Sequence, residues 1–356
     1  MRRMLLFVIF LVILLGGLWL GGETLLARTI RQVAQGQPSV QLQDATPLRQ
    51  PGRFGLRATQ LTIDSQGRRA TLPEVTLWAP LTGLNTLHLG LPPVIEADLL
   101  GQPQKIGLDQ AVARATLAPL NGMAIRRLSA DAGKVTLNDQ PLADSADLQL
   151  TLSRLGYAVP RDAATSYDLK VDLRNADPGA FIPAKLPEGR LSVTGQGRVW
   201  LDRILTPAAL QSGHPPRPVG LRADELHISL GDLGLRLIGR VLADEDGRAQ
   251  GQLMIYTADA PAILALAVEQ NLLRPGVADM IGRMLQQISD ATPDTPSEAE
   301  RTLTDSSLTA GRIAAPQLEP MHFPKPAGEE LRLPLSFRDG RMFLGPMPLG
   351  AAPRFP

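Results

Sequence analysis

The chain of 356 residues contains no cysteine. This absence excludes a disulfide framework, a thiol nucleophile, thiolate zinc sites and cysteine-ligated iron–sulfur clusters. It also prevents disulfide mispairing if the chain is exported to an oxidising compartment.

Net charge is almost absent as well. The 36 Lys and Arg residues nearly balance the 35 Asp and Glu residues, which leaves a formal net charge of +1. This balance provides no broad positive field for attracting nucleic acid. We therefore expect no nucleic-acid partner.

Motifs for catalysis or metal binding are also missing from the sequence. It has no Gly-x-Ser-x-Gly, no His-Glu-x-x-His and no phosphate-binding Gly-Lys-Ser/Thr. None of the four histidines has a second histidine at the helical spacing of a metal site; they are His88, His214, His227 and His322. We expect no catalytic residue, metal or cofactor. An enzyme whose scattered carboxylates pair in space remains an open alternative.

The amino terminus carries a long apolar run. Arg2 and Arg3 precede an almost wholly apolar segment, residues 4–22. As a helix this segment is about 28 Å long, close to the roughly 30 Å hydrocarbon core of a bilayer. We predict a transmembrane anchor over residues 1–22, with the arginines on the cytoplasmic side. A cleaved signal peptide is the alternative, although its apolar core is usually only about 7–15 residues long.

The rest of the chain shows the alternation of β-strands. We assign residues 23–53 to a juxtamembrane helix and linker, and residues 54–356 to one β-rich domain. Apolar residues recur at every second position in about a dozen runs, such as Leu226, Ile228 and Leu230. Half-apolar strands are typical of antiparallel sheets. The predicted fold is mainly β, an extended and curled antiparallel sheet.

Local signals predict turns, a bulge and two helices. The segments 244–248 and 338–341 contain the Asp-Gly pair of tight hairpins, and 195–197 (Gly-Gln-Gly) indicates a bulge. Asp259 can cap a helix that runs from Ala260 to about 273. A second helix over 276–288 has one apolar stripe. We predict two C-terminal helices packed on the sheet, followed by a flexible loop at 289–307.

Two segments near the carboxyl end resemble a bacterial family. They are 246–255 (DGRAQGQLMI) with the helix after it, and 331–350 (LRLPLSFRDGRMFLGPMPLG). They look like parts of a family of unknown function whose members carry an amino-terminal anchor, and which is similar to AsmA-like envelope proteins. The resemblance implies a single-pass protein of the bacterial inner membrane, with a cytoplasmic amino terminus and a periplasmic β-rich body. It also implies a role in cell-envelope homeostasis, and it brings no catalytic residues.

Two non-catalytic functions therefore compete. In the first, the sheet forms a hydrophobic groove that binds or conveys a phospholipid or another acyl-chain lipid. In the second, the protein is a scaffold or assembly partner for another envelope protein, and the helices fill the same space. The candidate groove residues share apolar positions on strands or on the second helix; they are Leu237, Leu253, Ile255, Met280, Met284 and Ile288.

Overall fold

The chain is mainly β, as the sequence predicts. The computed structural model describes residues 22–28, 31–32, 40–65, 68–99, 102–155, 159–180, 187–211, 215–269, 276, 278–283, 321, 323–328 and 330–355. Residues 1–21 of the predicted anchor and the predicted loop 289–307 lie outside this range. Within the described residues, no helix has the length and apolar character needed to cross a membrane.

The described residues form 19 strands in two compact units, Met1–Leu148 and Gln149–Pro356. Strand β11 contains the boundary between these units. The strands are β1 (Val40–Pro47), β2 (Arg53–Ser65), β3 (Arg68–Pro80), β4 (Thr86–Gly90), β5 (Val94–Leu99), β6 (Gln102–Leu108), β7 (Val112–Ala118), β8 (Ala124–Ala132), β9 (Val135–Leu137), β10 (Gln140–Ala143), β11 (Ser145–Ser153), β12 (Thr165–Ala176), β13 (Leu191–Leu201), β14 (Pro218–Leu230), β15 (Leu233–Ala243), β16 (Ala249–Thr257), β17 (Leu331–Arg338), β18 (Arg341–Leu344) and β19 (Met347–Ala351).

Helices are few and short in the described chain, and their positions differ from the prediction. They are α1 (22–28), α2 (Pro207–Gln211) and α3 (Ala260–Glu269), with further helical residues at 276 and 278–283. Helix α3 starts where predicted, and the Asp259 carboxylate accepts a hydrogen bond from the Ala262 amide at 3.0 Å. The predicted helices pack on the sheet, but their position as the C-terminal elements is wrong, because the three strands β17, β18 and β19 follow them. The prediction also omitted α2, which lies between β13 and β14.

In unit 1, strand β3 pairs with two shorter strands along one edge. Its second half is antiparallel to β4, and its first half is antiparallel to β5. Pro92 and Pro93 separate β4 from β5. Because proline cannot donate a backbone hydrogen bond, this pair interrupts what is otherwise one long strand. The same division continues in the next strands, where β4 pairs with β7 and β5 pairs with β6.

Helix α1 is held to unit 1 by a buried carboxylate. Glu23 is fully buried and accepts hydrogen bonds from the amides of Gly55 (2.9 Å) and Arg49 (3.1 Å). Leu26 of the same helix packs against the buried cluster around Leu56 and Val75. The helix that directly follows the predicted anchor is therefore fixed at the β1–β2 turn.

In unit 2, strands β12 to β19 form an antiparallel meander in which each strand pairs with the next. Both predicted hairpin turns are confirmed, since residues 244–248 join β15 to β16 and residues 338–341 join β17 to β18. A bulge occurs opposite the predicted segment and not in it. Gln196 pairs with Glu225 and Gly197 pairs with Ala223, so the extra residue is Asp224 of β14.

Two glycines of β15 allow a matched test of how closely the backbones of β15 and β16 approach each other. Gly239 has φ of 154°, and a Cβ there would collide with the carbonyl oxygen of Gln252 on β16, whereas a Cβ at Gly234 would meet no atom within 4 Å. We expect Gly239→Ala to lower the free energy of unfolding by about 1–3 kcal/mol, because the backbone must shift or remain strained. Gly234→Ala should change it by less than about 1 kcal/mol. Equal unfolding midpoints in urea for both variants would contradict this close approach.

Candidate functional site

The candidate site is one face of the unit 2 sheet, which we call the apolar face. Residues directly opposite each other on paired strands project to the same side of a sheet. One such row crosses β12 to β16 and contains only apolar residues and glycine; it consists of Val171, Gly195, Leu226, Leu237 and Ile255. Each of these five residues is half-buried.

The row beside it has smaller side chains in its centre. Gly197, Ala223 and Gly239 are cross-strand partners on β13, β14 and β15. Leu169 continues this row on β12, and Leu253 continues it on β16. We expect side chains of this size to leave a shallow depression in the apolar face, which the Leu253 side chain borders, since its Cδ2 lies 3.0 Å from the place of a Cβ on Gly239.

The opposite face of the same strands carries the charged side chains, beside a buried apolar cluster of Ile238, Met254 and Tyr256 against which Met321 and Phe323 pack. We call it the polar face because the charged residues of these strands lie on it. Arg198, Arg222 and Arg240 lie directly opposite one another on β13, β14 and β15. The Arg198 guanidinium is 2.8 Å from the Asp168 carboxylate, and the Arg222 guanidinium is 2.7 Å from Asp224. Charge is thus confined to one side of the sheet.

Helices cover one end of the apolar face. Ala260 and Leu264 of α3 pack with Ile281 against Leu333 and Leu344 of the sheet. The carboxyl-terminal residues cover a neighbouring part, where Ala352 packs with Ala249 and Phe337. Among the described residues, these two clusters extend over β15 to β19 and include neither Val171 nor Leu226.

The predicted groove residues have different surroundings. Leu237 and Ile255 are cross-strand partners on the apolar face, and Leu253 lies on the same face. Ile255 packs against the helix cluster, and Leu253 packs against the carboxyl-terminal cluster. Leu237 belongs to neither cluster. The structure thus brings three of the six candidates to one face.

The candidates on the second helix are only partly described. Met280 is 42% exposed, whereas its neighbour Ile281 is 3% exposed and makes the helix contact with the sheet. Met284 and Ile288 lie outside the described residues. The groove candidates did not include the contact residues Ile281, Leu333 and Leu344. The signal of Ile281 was the apolar stripe of the predicted second helix, and the signal of the two leucines was the alternation of the last strands.

A charged cluster fixes a segment across the polar face. Arg236 lies 2.7 Å from the Glu330 carboxylate, and its guanidinium lies 4.3 Å from the centre of the Tyr256 ring. The Tyr256 hydroxyl donates a hydrogen bond to the Pro324 carbonyl at 2.8 Å. The hydrogen bond from Arg236 lowers the pKa of Glu330, and burial raises the pKa of Tyr256. Of the chain between β16 and β17, helix α3 therefore contacts the apolar face, and the residues Pro324 and Glu330 contact the polar face.

The two described histidines lie on polar faces and have separate surroundings. His88 stacks on Trp78 at 4.0 Å between ring centres, and burial, together with Arg114 and Arg53, lowers its pKa. His227 is exposed, with its ring 3.2 Å from the Glu225 carboxylate. Among the residues that the structure describes, no group of three or more metal-binding side chains is close enough to hold a metal ion.

A separate cleft of about 340 Å³ lies in unit 1. Its lining is mostly charged or polar and consists of Asp64, Arg69, Thr71, Glu96, Ala97, Asp98 and Pro103. This lining does not suit an acyl chain, because burial of charged side chains against hydrocarbon is unfavourable. The cleft is unrelated to the predicted groove residues.

Comparison with known proteins identifies a family. No curated protein and no solved structure matches the chain. A family model described as an uncharacterized protein conserved in bacteria, DUF2125, matches residues 30–315 and 306–353. The match extends through the middle of the chain, where the sequence resemblance rested only on the strand pattern. The chain therefore belongs to this bacterial protein family, DUF2125.

Proposed function

We propose that this chain is a non-catalytic, inner-membrane-anchored envelope protein of the AsmA-like type that binds a lipid acyl chain on its apolar face. The observation that carries the proposal is the uncharged row from Val171 to Ile255. Hydrocarbon and apolar side chains associate because both leave water, at about 0.8 kcal/mol for each buried methylene group.

The length of this row suits the proposed ligand. Five neighbouring strands, each about 4.8 Å from the next, span about 19 Å. One leaflet of a bilayer core is about 15 Å thick, which is the extent of one acyl chain. Curling of the sheet about this row would turn the shallow depression beside it into a groove. The lipid headgroup would then remain in water at the edge of the sheet.

Direct lipid analysis tests the proposal. We expect the fragment 22–356, exported by a cleavable signal and purified without detergent, to carry phospholipid or another acyl-chain lipid in native mass spectra. This fragment keeps α1, whose Glu23 is part of the unit 1 fold. Absence of lipid from the folded fragment would contradict the proposal.

A scaffold is the second candidate function. Its support is the packing of α3 and residues 278–283 on one end of the apolar face. In this alternative, an envelope protein partner covers the remaining apolar rows. A folded, lipid-free fragment that binds a partner through this face would favour the scaffold.

The location proposed for the chain has its own test. The arginine pair followed by the apolar run 4–22 supports a cytoplasmic amino terminus and a periplasmic body. A reporter that is active only outside the cytoplasm should work when it is fused after Pro356. Activity of a cytoplasmic reporter at that position would contradict both the location and the proposed role.

A further inference from the structure

One end of the unit 1 sheet is formed by three neighbouring turns, and we call it the turn end. The turns are residues 48–52, 81–85 and 119–123. The Leu81 amide donates to the Gly52 carbonyl at 3.0 Å, which joins the first turn to the second. The Leu117 amide donates to the Asn85 carbonyl at 2.7 Å, which joins the second to the strand that enters the third.

The turn end presents large apolar side chains to solvent. Leu84 at its second turn is 60% exposed, and Leu120 at its third turn is fully exposed. Leu25, on helix α1, is 63% exposed, and Glu23 of that helix bonds to the first turn. The full set of exposed apolar residues at this end is Leu25, Leu81, Leu84, Leu120 and Met123. Clustering of this kind marks an interaction surface.

The charge of the turn end has one sign. The turns and the adjoining strand residues, 48–53, 81–85 and 119–127, contain no Asp or Glu. They contain four arginines, of which Arg49 lies in the first turn, Arg53 begins β2, and Arg126 and Arg127 lie near the start of β8. The carboxylate of Glu23 is buried in its bonds to backbone amides. Elsewhere in unit 1, the cleft near the opposite end contains Asp64, Glu96 and Asp98. The excess of positive charge thus coincides with the exposed apolar residues.

We infer that the turn end of unit 1 rests on the surface of an anionic lipid bilayer. Exposed leucines would enter the boundary between headgroups and acyl chains, and arginines would contact phosphate groups. Each arginine near an anionic surface favours this contact by roughly fivefold. Helix α1 supports the same orientation, because it follows the predicted anchor and is fixed to the first turn. In that respect the inference rests on the proposed anchor, but it does not depend on lipid binding at the apolar face.

Fluorescence quenching tests this inference in the full chain. Because the sequence has no cysteine, Leu84→Cys and Leu120→Cys each introduce a single site for an environment-sensitive dye. Ile63→Cys is the matched control, since Ile63 is an exposed apolar residue (40%) near the opposite end of β2. The proteins are reconstituted in vesicles of phosphatidylethanolamine and phosphatidylglycerol that contain nitroxide-labelled lipid.

We expect strong quenching and a blue-shifted emission at positions 84 and 120, with neither effect at position 63. Replacing Arg126 and Arg127 by Gln should reduce quenching at position 120 in these vesicles but not in pure phosphatidylcholine. Equal quenching at all three positions, or none at 84 and 120, would overturn the inference. A blue shift without lipid quenching would also overturn it, because protein would then cover the turns.

Discussion

Replacing Glu23 by alanine is expected to lower the free energy of unfolding of unit 1 by about 2–5 kcal/mol, because two backbone amides lose their acceptor. These amides belong to Arg49 in the β1–β2 turn and to Gly55 near the start of β2. Glu23→Gln should have a smaller effect, since one carbonyl oxygen remains as an acceptor. Arg28→Ala is the matched control, because Arg28 lies on the same helix with its side chain exposed.

Hydrogen exchange measures this effect at the residues concerned. In Glu23→Ala, the peptides that cover residues 48–56 should lose protection, whereas in Arg28→Ala they should exchange as in the unchanged protein. Unaltered protection in the alanine variant would show that α1 does not stabilise this turn. The orientation inferred for the turn end would then rest only on its exposed apolar residues and arginines, without the support of helix α1.

The strand pattern of unit 2 was predictable because one side of its sheet is apolar along its strands and most of the charged residues lie on the other side. Leu226 follows Glu225 and Leu237 follows Arg236, so the two-residue period is visible in the sequence. Met254 departs from this pattern, because it belongs to an apolar cluster on the polar face. The Asp-Gly turns were predictable for a similar reason, because positive φ angles require particular residues. In the structure, Asp339 and Gly340 have φ of 52° and 67°.

Short elements and long-range contacts were harder to predict. Helix α2 has only five residues, too few to show a helical period. Its signal was local, since the Thr206 hydroxyl accepts a hydrogen bond from the Ala209 amide at 3.0 Å and Pro207 follows it. The division of β3 between β4 and β5 depends on which strands meet, and the sequence indicates only the Pro92-Pro93 interruption.

The role of Glu23 was also hidden in the sequence. As the first acid after an apolar run, it had the expected position of an exposed residue beside a membrane. Its burial depends on the amides of Arg49 and Gly55, which are 26 and 32 residues away along the chain. A single sequence does not reveal contacts at such separations. Met280 shows the same limit, because the helical stripe contained both Met280 and Ile281, and the sequence did not indicate that Ile281 makes the contact with the sheet.

Replacing Leu226 and Leu237 together by glutamine should reduce the lipid carried by the fragment 22–356 by more than about tenfold. The two residues are cross-strand partners in the middle of the apolar row. Each side-chain amide placed against hydrocarbon costs about 1–3 kcal/mol, and about 1.4 kcal/mol is a tenfold change in affinity.

A matched control separates lipid binding from folding. Replacing both leucines by methionine keeps an apolar side chain of similar size, so lipid binding should be retained. Both double variants should fold, because the two leucines are only half-buried, and circular dichroism and urea unfolding check this. Equal lipid content in the folded glutamine and methionine variants would place the lipid elsewhere.

Photo-crosslinking in bacterial cells tests the central claim most directly. Val171 and Lys170 are neighbours on β12, but Val171 belongs to the apolar row and Lys170 lies exposed on the polar face. A photo-reactive residue at position 171 of the full chain should form an adduct with lipid, and one at position 170 should not. Lipid adducts at both positions, or adducts only with protein at position 171, would contradict lipid binding on the apolar face.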